Sequence, residues 1–165
     1  MTEQPISISP AEGAQDMGHI RALFREYQEW LGVDLCFQDF EAELANLPGR
    51  YAPPSGCLLL ARDGADVAGG VGMWSLGAGV CEMKRLYVRS PWRRRGLGRR
   101  LSETLVKESI RAGYKSMCLD TLGHLKEARA LYRSMGFAEI AAYYDNPLDD
   151  VIYMERALDV QARVS

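Results

Sequence analysis

The sequence is poor in histidine and has no paired cysteines. His19 and His124 are its only histidines, too few for a histidine-rich metal site, so no metal is expected. The four cysteines, Cys36, Cys57, Cys81 and Cys118, form no Cys-x-x-Cys pair. Three of them sit in apolar runs (CLLLA, VCEM and MCLD), where small buried hydrophobes of a reducing cytosol are found; a nucleophilic or redox cysteine is the other reading. No apolar run approaches the roughly 20 residues of a membrane span. The start, MTEQPISISPAEG, has neither the basic residues nor the apolar stretch of a secretory signal. These absences predict a cytoplasmic protein with no membrane partner. Internal repeats and low-complexity linkers are missing as well.

What is present is ordinary globular composition. The 165 residues are 47% hydrophobic and 25% charged, enough for one domain spanning 1–165 with a real core. The net charge is −2, but its distribution is uneven: residues 84–100, KRLYVRSPWRRRGLGRR, hold eight Lys/Arg and no Asp/Glu, leaving 12 basic against 22 acidic residues elsewhere. One positive stretch in an acidic protein favours a local anion site over a nucleic-acid coat, since a duplex would meet the acidic surroundings.

Periodicity orders the elements. A short strand is expected at 6–8, a helix over 16–31 ended by Gly32, and a second helix over 37–47 stopped by Pro48-Gly49. Strands follow at 57–62, 66–75 and 80–88, with turns at Asp63-Gly64 and Gly77/Gly79. Then come a helix from Gly98 to Gly113, a strand at 115–120, a helix at 126–135 stopped by Gly136, and strands at 137–142 and 151–157. A mixed sheet with helices on both faces satisfies this order.

The segment Arg93-Arg94-Arg95-Gly96-Leu97-Gly98-Arg99 joins a strand to a helix. Its glycines let the backbone approach a ligand, and the helix start offers free N–H groups and a positive dipole end. Such a turn cradles a phosphate or pyrophosphate. The spacing fits neither a Walker loop nor a Gly-x-Gly-x-x-Gly dinucleotide turn.

Arg93-x-x-Gly96-x-Gly98 resembles the R/Q-x-x-G-x-G/A signature of the GNAT superfamily of acetyl-coenzyme A-dependent N-acetyltransferases. It stands, as in that family, after a strand and opening a helix. ALYRSMGF (130–137) resembles the family's A-x-x-L-Y-x-x-x-G-F element, and the order of elements agrees over nearly the whole chain. The resemblance implies an α+β sandwich (α/β/α): a mixed, mostly antiparallel sheet of six or seven strands, with a splayed parallel pair that admits the cofactor. It implies acetyl-coenzyme A as co-substrate. The pyrophosphate would lie on the amides of about 94–99, across Arg93, Arg94, Arg95, Gly96, Leu97, Gly98 and Arg99. The pantetheine would lie along Leu86, Tyr87 and Val88.

Amide formation requires an amine that has lost a proton, a donor to the thioester oxygen, and a proton for the departing thiolate. By resemblance, Glu82 is the general base, directly or through water, and Tyr132 the general acid, with an N–H near Leu86 as donor to the oxygen. On the residues alone, Glu82 also suits an ion pair with Lys84 or an arginine, and Tyr132 a place in the core. One departure stands out: where many relatives carry a cofactor-touching asparagine, this chain has Leu125, beside His124.

By the same resemblance, the acceptor side would be bordered by WLGVDLCFQDFEAE and YYDNPLDD. Asp34, Phe37, Tyr143 and Tyr144 are the substrate-binding candidates, with Asp39, Glu41 and Asp145 near them. Carboxylates and aromatics suit a cationic amine, and also a solvated face and a turn. The expected function is acetyl transfer to a primary amine of a small molecule. A protein or peptide acceptor and a non-catalytic acyl-coenzyme A sensor are the alternatives, and the oligomeric state is open, a homodimer included.

Overall fold

The computed structural model describes residues 5–35 and 39–158. Among them the order is β1 (Ser7–Pro10), α1 (Gly13–Leu31), α2 (Phe40–Ala45), β2 (Cys57–Asp63), β3 (Asp66–Gly77), β4 (Val80–Val88), α3 (Leu97–Arg111), β5 (Ser116–Leu122), α4 (Lys126–Ser134), β6 (Ala138–Ile140) and β7 (Val151–Ala157). Helix α1 starts one turn earlier than its apolar spacing predicts, because the Asp16 carboxylate accepts a hydrogen bond from the Glu12 backbone N–H at 2.9 Å and fixes the first turn. Helix α2 is shorter than the expected 37–47. Asp39 enters it in the left-handed region at φ 55, and Pro48 disfavours helix at its other end.

The seven strands form one sheet in the order β1-β2-β3-β4-β5-β7-β6. Only β4 and β5 pair in parallel; every other neighbouring pair is antiparallel. This is the mixed, mostly antiparallel sheet expected, with α3 and α4 on one face and α1 and α2 on the other. Two apolar clusters hold the layers. Leu101, Leu105, Met117, Leu119 and Met154 belong to the α3–α4 side, and Ile20, Leu23, Phe24, Phe40 and Leu44 to the α1–α2 side.

What positions the site is a defect in β4. Gly70 pairs with Tyr87 and Gly72 with Lys84, so Arg85 and Leu86 oppose Val71 alone. Arg85 takes the extra residue's strain at φ 62. Such a bulge bends its strand and raises its twist. Gly69 permits the close approach this requires: a Cβ there would stand 2.6 Å from the Tyr87 carbonyl oxygen. While β4 follows β3, β5 stays with β7 from Ser116 to Leu122. The β4–β5 ladder therefore ends after Val80–Ser116, Cys81–Met117 and Glu82–Cys118. Beyond Glu82 the strands fork.

Candidate active site

The fork exposes backbone on one edge of β4. A cavity of about 90 Å³ fills it, lined by Met83 to Leu86 of β4 and Leu119 to Thr121 of β5, and closed by Tyr132 of α4 and Tyr27 and Trp30 of α1. A second lobe of about 40 Å³ continues toward the loop before β7 and shares Tyr27, Arg85, Asp120 and Thr121 with the first. A larger cavity, about 760 Å³, lies at the far end of α1 and α3; among the described residues, Glu12, Glu108 and Arg111 are the only charged groups lining it, and no catalytic constellation converges there.

At the outer end of the fork the chain turns from β4 into α3. Gly96 stands at φ 74, a left-handed position that suits glycine. The Arg100 N–H makes the first bond of the helix, to the Gly96 carbonyl at 3.1 Å. Among the described residues, the amides of 94–99 have no backbone partner, so a run of donors faces outward at a helix start. Leu97 is buried and anchors the turn from inside. Arg94 and Arg95 are exposed. Arg99 donates to Ser134 Oγ at 2.5 Å and so links α3 to α4. Arg93 has a different task from its neighbours: its Nε donates to the Val88 carbonyl at 2.8 Å, and its guanidinium lies 5.4 Å from the Trp30 ring centre and 5.5 Å from that of Tyr87. It clamps α1 to the end of β4.

The site residues of β4 are sorted by face. Leu86 and Met83 pack on the α3–α4 side. Tyr87 turns to the other side, its ring centre 6.2 Å from that of Tyr27, and Val88 closes the strand opposite Gly69. Glu82 faces the α1–α2 side and is 3% exposed. It accepts hydrogen bonds from Trp74 Nε1 at 2.7 Å and from the Tyr143 hydroxyl at 2.5 Å, and Lys84 Nζ lies 3.6 Å away. The ion pair with Lys84, one of the two readings of Glu82, is therefore present, inside a larger network that holds the carboxylate at the root of the fork. Burial lowers the Lys84 pKa, against the pull of Glu82. Arg85 makes a bidentate pair with Glu43 at 3.0 and 2.9 Å. Burial opposes its charge, but the bonds from Glu43 outweigh this and hold its pKa above the ordinary value.

Tyr132 is buried in the α3–α4 cluster, its ring edge-on to Phe137 at 5.8 Å. It is thus the core residue of one reading, and it lines the fork as well. Burial raises its pKa, with smaller contributions from Tyr27 and Asp120, and no hydrogen bond to the hydroxyl contributes among the described residues. The phenol is protonated at neutral pH.

Asp120 escapes sequence reading. It lies on β5 two residues past Cys118, the last one paired with β4, lines both lobes, and accepts a hydrogen bond from the Tyr144 hydroxyl. The signal was a carboxylate alternating with buried residues in an apolar strand. Tyr143 and Tyr144, the candidates for the acceptor side, each donate to one carboxylate, Glu82 and Asp120. With Tyr153 they form three mutual edge-to-face contacts, at 5.2 to 5.5 Å between centres. Burial first, then the neighbouring carboxylates, raises the pKa of both Tyr143 and Tyr144.

The remaining candidates are dispersed. Asp34 is exposed, while its neighbours Val33 and Leu35 line the second lobe. Phe37 and Cys36 lie outside the described residues. Glu41 pairs with Arg25 at 3.1 Å on the surface, Asp39 borders a separate hollow beside Trp74, and Asp145 is exposed. His124 points to Asp150 at 3.6 Å, whereas Leu125 lines the fork. Cys57, Cys81 and Cys118 are free and buried, and burial pushes their thiols up to about 11, 11 and 12. They behave as packing residues rather than nucleophiles.

A sheet forked at one parallel pair, with a donor-rich helix start at its mouth, can receive an extended ligand that ends in an anion. The profile of the Acetyltransferase (GNAT) family matches residues 15–137, and the chain belongs to that family. An uncharacterized N-acetyltransferase of Schizosaccharomyces pombe is 44% identical over 156 residues, covering 93% of this chain and 96% of the relative. Among solved structures, a GNAT acetyltransferase of Staphylococcus aureus Mu50 superposes with a TM-score of 0.78 at 19% identity, covering 94% of this chain and all of that one. YncA, a putative acetyltransferase of Salmonella typhimurium solved with its cofactor acetyl-CoA, gives 0.70 at 21% identity, covering 94% and 95%.

Proposed function

We propose that the chain transfers an acetyl group from acetyl-coenzyme A to a primary amine of a small molecule, by direct attack within the fork. The observation that carries this reading is the fork itself: unpaired β4 backbone between a run of free amides at 94–99 and a root where Glu82 is the last β4 residue paired with β5, while Tyr132 lines the cavity beyond it. These features fit the co-substrate, whose two pantetheine amides match an open strand edge and whose pyrophosphate matches the amides of the turn. Bound there, it supplies an activated thioester. Glu82 lies behind the cavity wall, 3.6 Å from the Lys84 that lines it; it takes the proton that the amine loses through an intervening water, and its bonds from Trp74 and Tyr143 hold it in place for this. An amide near Leu86 donates to the carbonyl oxygen as charge gathers on it. Tyr132 gives its proton to the departing sulfur; burial raises its pKa, so the proton is present at neutral pH and leaves only as negative charge develops on the sulfur. The test is release of free thiol on incubation with a panel of primary amines, with the acetamide identified by mass. Cofactor binding without turnover on any amine would leave only a sensor.

Gly98→Val probes the cofactor seat. A Cβ at Gly98 meets only Leu131 Cδ2, at 3.8 Å, so the variant folds, while its branched side chain crowds the approach to the amides. Calorimetry should show acetyl-coenzyme A binding weakened at least about ten-fold, the loss of one to two charge-assisted hydrogen bonds. Unchanged affinity removes the turn from the binding site.

Tyr132→Phe keeps the ring and its contact with Phe137. Stability should change by no more than about 1 kcal/mol. The expected fall in kcat is about 10²-fold or less, because a thiol with a pKa near that of cysteine, about 8.5, leaves fairly well unaided. KM for acetyl-coenzyme A should hardly move. Wild-type kcat, with chemistry shown to limit the rate, reduces Tyr132 to a core residue.

A further inference from the structure

The acceptor side of the fork carries two features that the transfer reaction alone does not require: a surplus negative charge and an apolar lobe beside it. Two cations project into this region, and both are matched. Lys84 has Glu82 at 3.6 Å, and Arg85 has Glu43 at 2.9 Å. Asp120 makes no ion pair within 4.0 Å among the described residues; its partner is the neutral Tyr144 hydroxyl. It is half-buried and lines both lobes. A carboxylate so placed is stabilised by a cation brought from outside.

Tyr144 holds this carboxylate in position. Its hydroxyl donates to Asp120 and accepts from Asn146 Nδ2 at 2.9 Å, and its backbone carbonyl accepts from the Tyr153 hydroxyl at 3.3 Å. The Asn146 side-chain oxygen in turn accepts from the Leu148 N–H at 2.9 Å. The loop that carries Asp120's partner thus also presents Leu148 to the second lobe. That lobe is lined by six aliphatic side chains, Leu31, Val33, Leu35, Leu122, Leu148 and Val151, and by Tyr27, Thr121, Asn146 and Arg85, with Asp120 where it meets the fork. A second positive charge on the acceptor would have to lose its water beside the aliphatic side chains and meet the Arg85 guanidinium, whose charge Glu43 already takes.

We infer that the acceptor is a primary ammonium on an apolar body, its charged end received by Asp120 at the junction of the lobes and its body seated among the aliphatic residues of the second lobe. This rests on the acetyl-transfer reading and narrows it. Asp120 meets the amine as a cation, and Glu82, already engaged by Trp74, Tyr143 and Lys84, receives the proton afterwards. Asp120 and Glu82 thereby have separable effects, one on binding and one on turnover.

The probes are benzylamine, its neutral counterpart benzyl alcohol, and 1,4-diaminobutane, each titrated by ligand-observed NMR into the full chain saturated with coenzyme A at pH 7. The wild type should bind benzylamine about ten-fold more tightly than benzyl alcohol, as one charge-assisted hydrogen bond implies, and more tightly than the diamine. Asp120→Asn should bring benzylamine and benzyl alcohol within about two-fold; Asp120→Glu should retain most of the preference; Glu82→Gln should retain all of it. A preference that survives in Asp120→Asn, or disappears in Glu82→Gln, overturns the assignment to Asp120. Tighter binding of the diamine overturns the apolar body. If coenzyme A itself fails to bind, the acetyl-transfer reading fails, and that result is separate from any amine preference.

Discussion

Glu82→Gln is expected to lower kcat by about 10²–10⁴-fold, the usual range for loss of a positioned base. The amide keeps the shape; its one oxygen can still accept from Trp74 Nε1, 2.7 Å away in the wild type, and its NH2 then donates to the Tyr143 hydroxyl, which donated to the other carboxylate oxygen at 2.5 Å. What disappears is the charge, and with it the partner of Lys84 at 3.6 Å. The thermal midpoint is the control for that second effect. The acidic limb of the pH–rate profile should change together with kcat, while affinity for acetyl-coenzyme A stays near wild type, because the seat lies farther along β4. A variant with full kcat across the pH range moves the proton to another group, and Asp120 is the next carboxylate in the fork.

The largest loss of stability is expected from Glu43→Ala. Arg85 and Glu43 are nearly sealed from water, with 3% and 8% of their side chains exposed. Removing the carboxylate leaves a buried guanidinium on the residue that forms the β4 bulge, and strands the Tyr51 hydroxyl, which donates to Glu43 at 2.8 Å. Breaking one side of a buried ion pair costs about 3–5 kcal/mol, a large share of a total that is commonly about 5–15 kcal/mol. Urea unfolding measures it. Replacing both partners, as Glu43→Leu with Arg85→Met, should cost much less, since no charge is then left unpaired. A Glu43→Ala loss below about 1 kcal/mol contradicts the role given to this pair.

The order of elements was legible because each carries its own period and its own stop: Gly32 after α1, Pro48 after α2, Gly136 after α4. The turn proposed to seat the pyrophosphate was legible for the same local reason, since arginines and glycines at fixed offsets between a strand and a helix need no knowledge of distant neighbours. The proposed acceptor chamber was only half legible. Tyr143 and Tyr144 stood out as aromatics beside a turn, but Asp120 read as the polar end of strand KSMCLD. Its exposure to the chamber follows from the end of the β4–β5 ladder two residues earlier, which follows from the bulge at Arg85. A bulge is a disagreement in register between two strands, and neither strand shows it alone. Arg93 illustrates the converse: within the basic run it looks like its neighbours, and only the aromatic shelf of Trp30 and Tyr87, brought from α1 and β4, turns it into a clamp.

The most direct test of the account is amide hydrogen exchange with and without acetyl-coenzyme A, read residue by residue. If the fork is the seat, protection should rise at the β5-facing amides between Met83 and Val88 and at the free amides of 94–99, with little change along β1, β2 and β6. No gain at either stretch, or protection confined to the cavity between the far ends of α1 and α3, would contradict it.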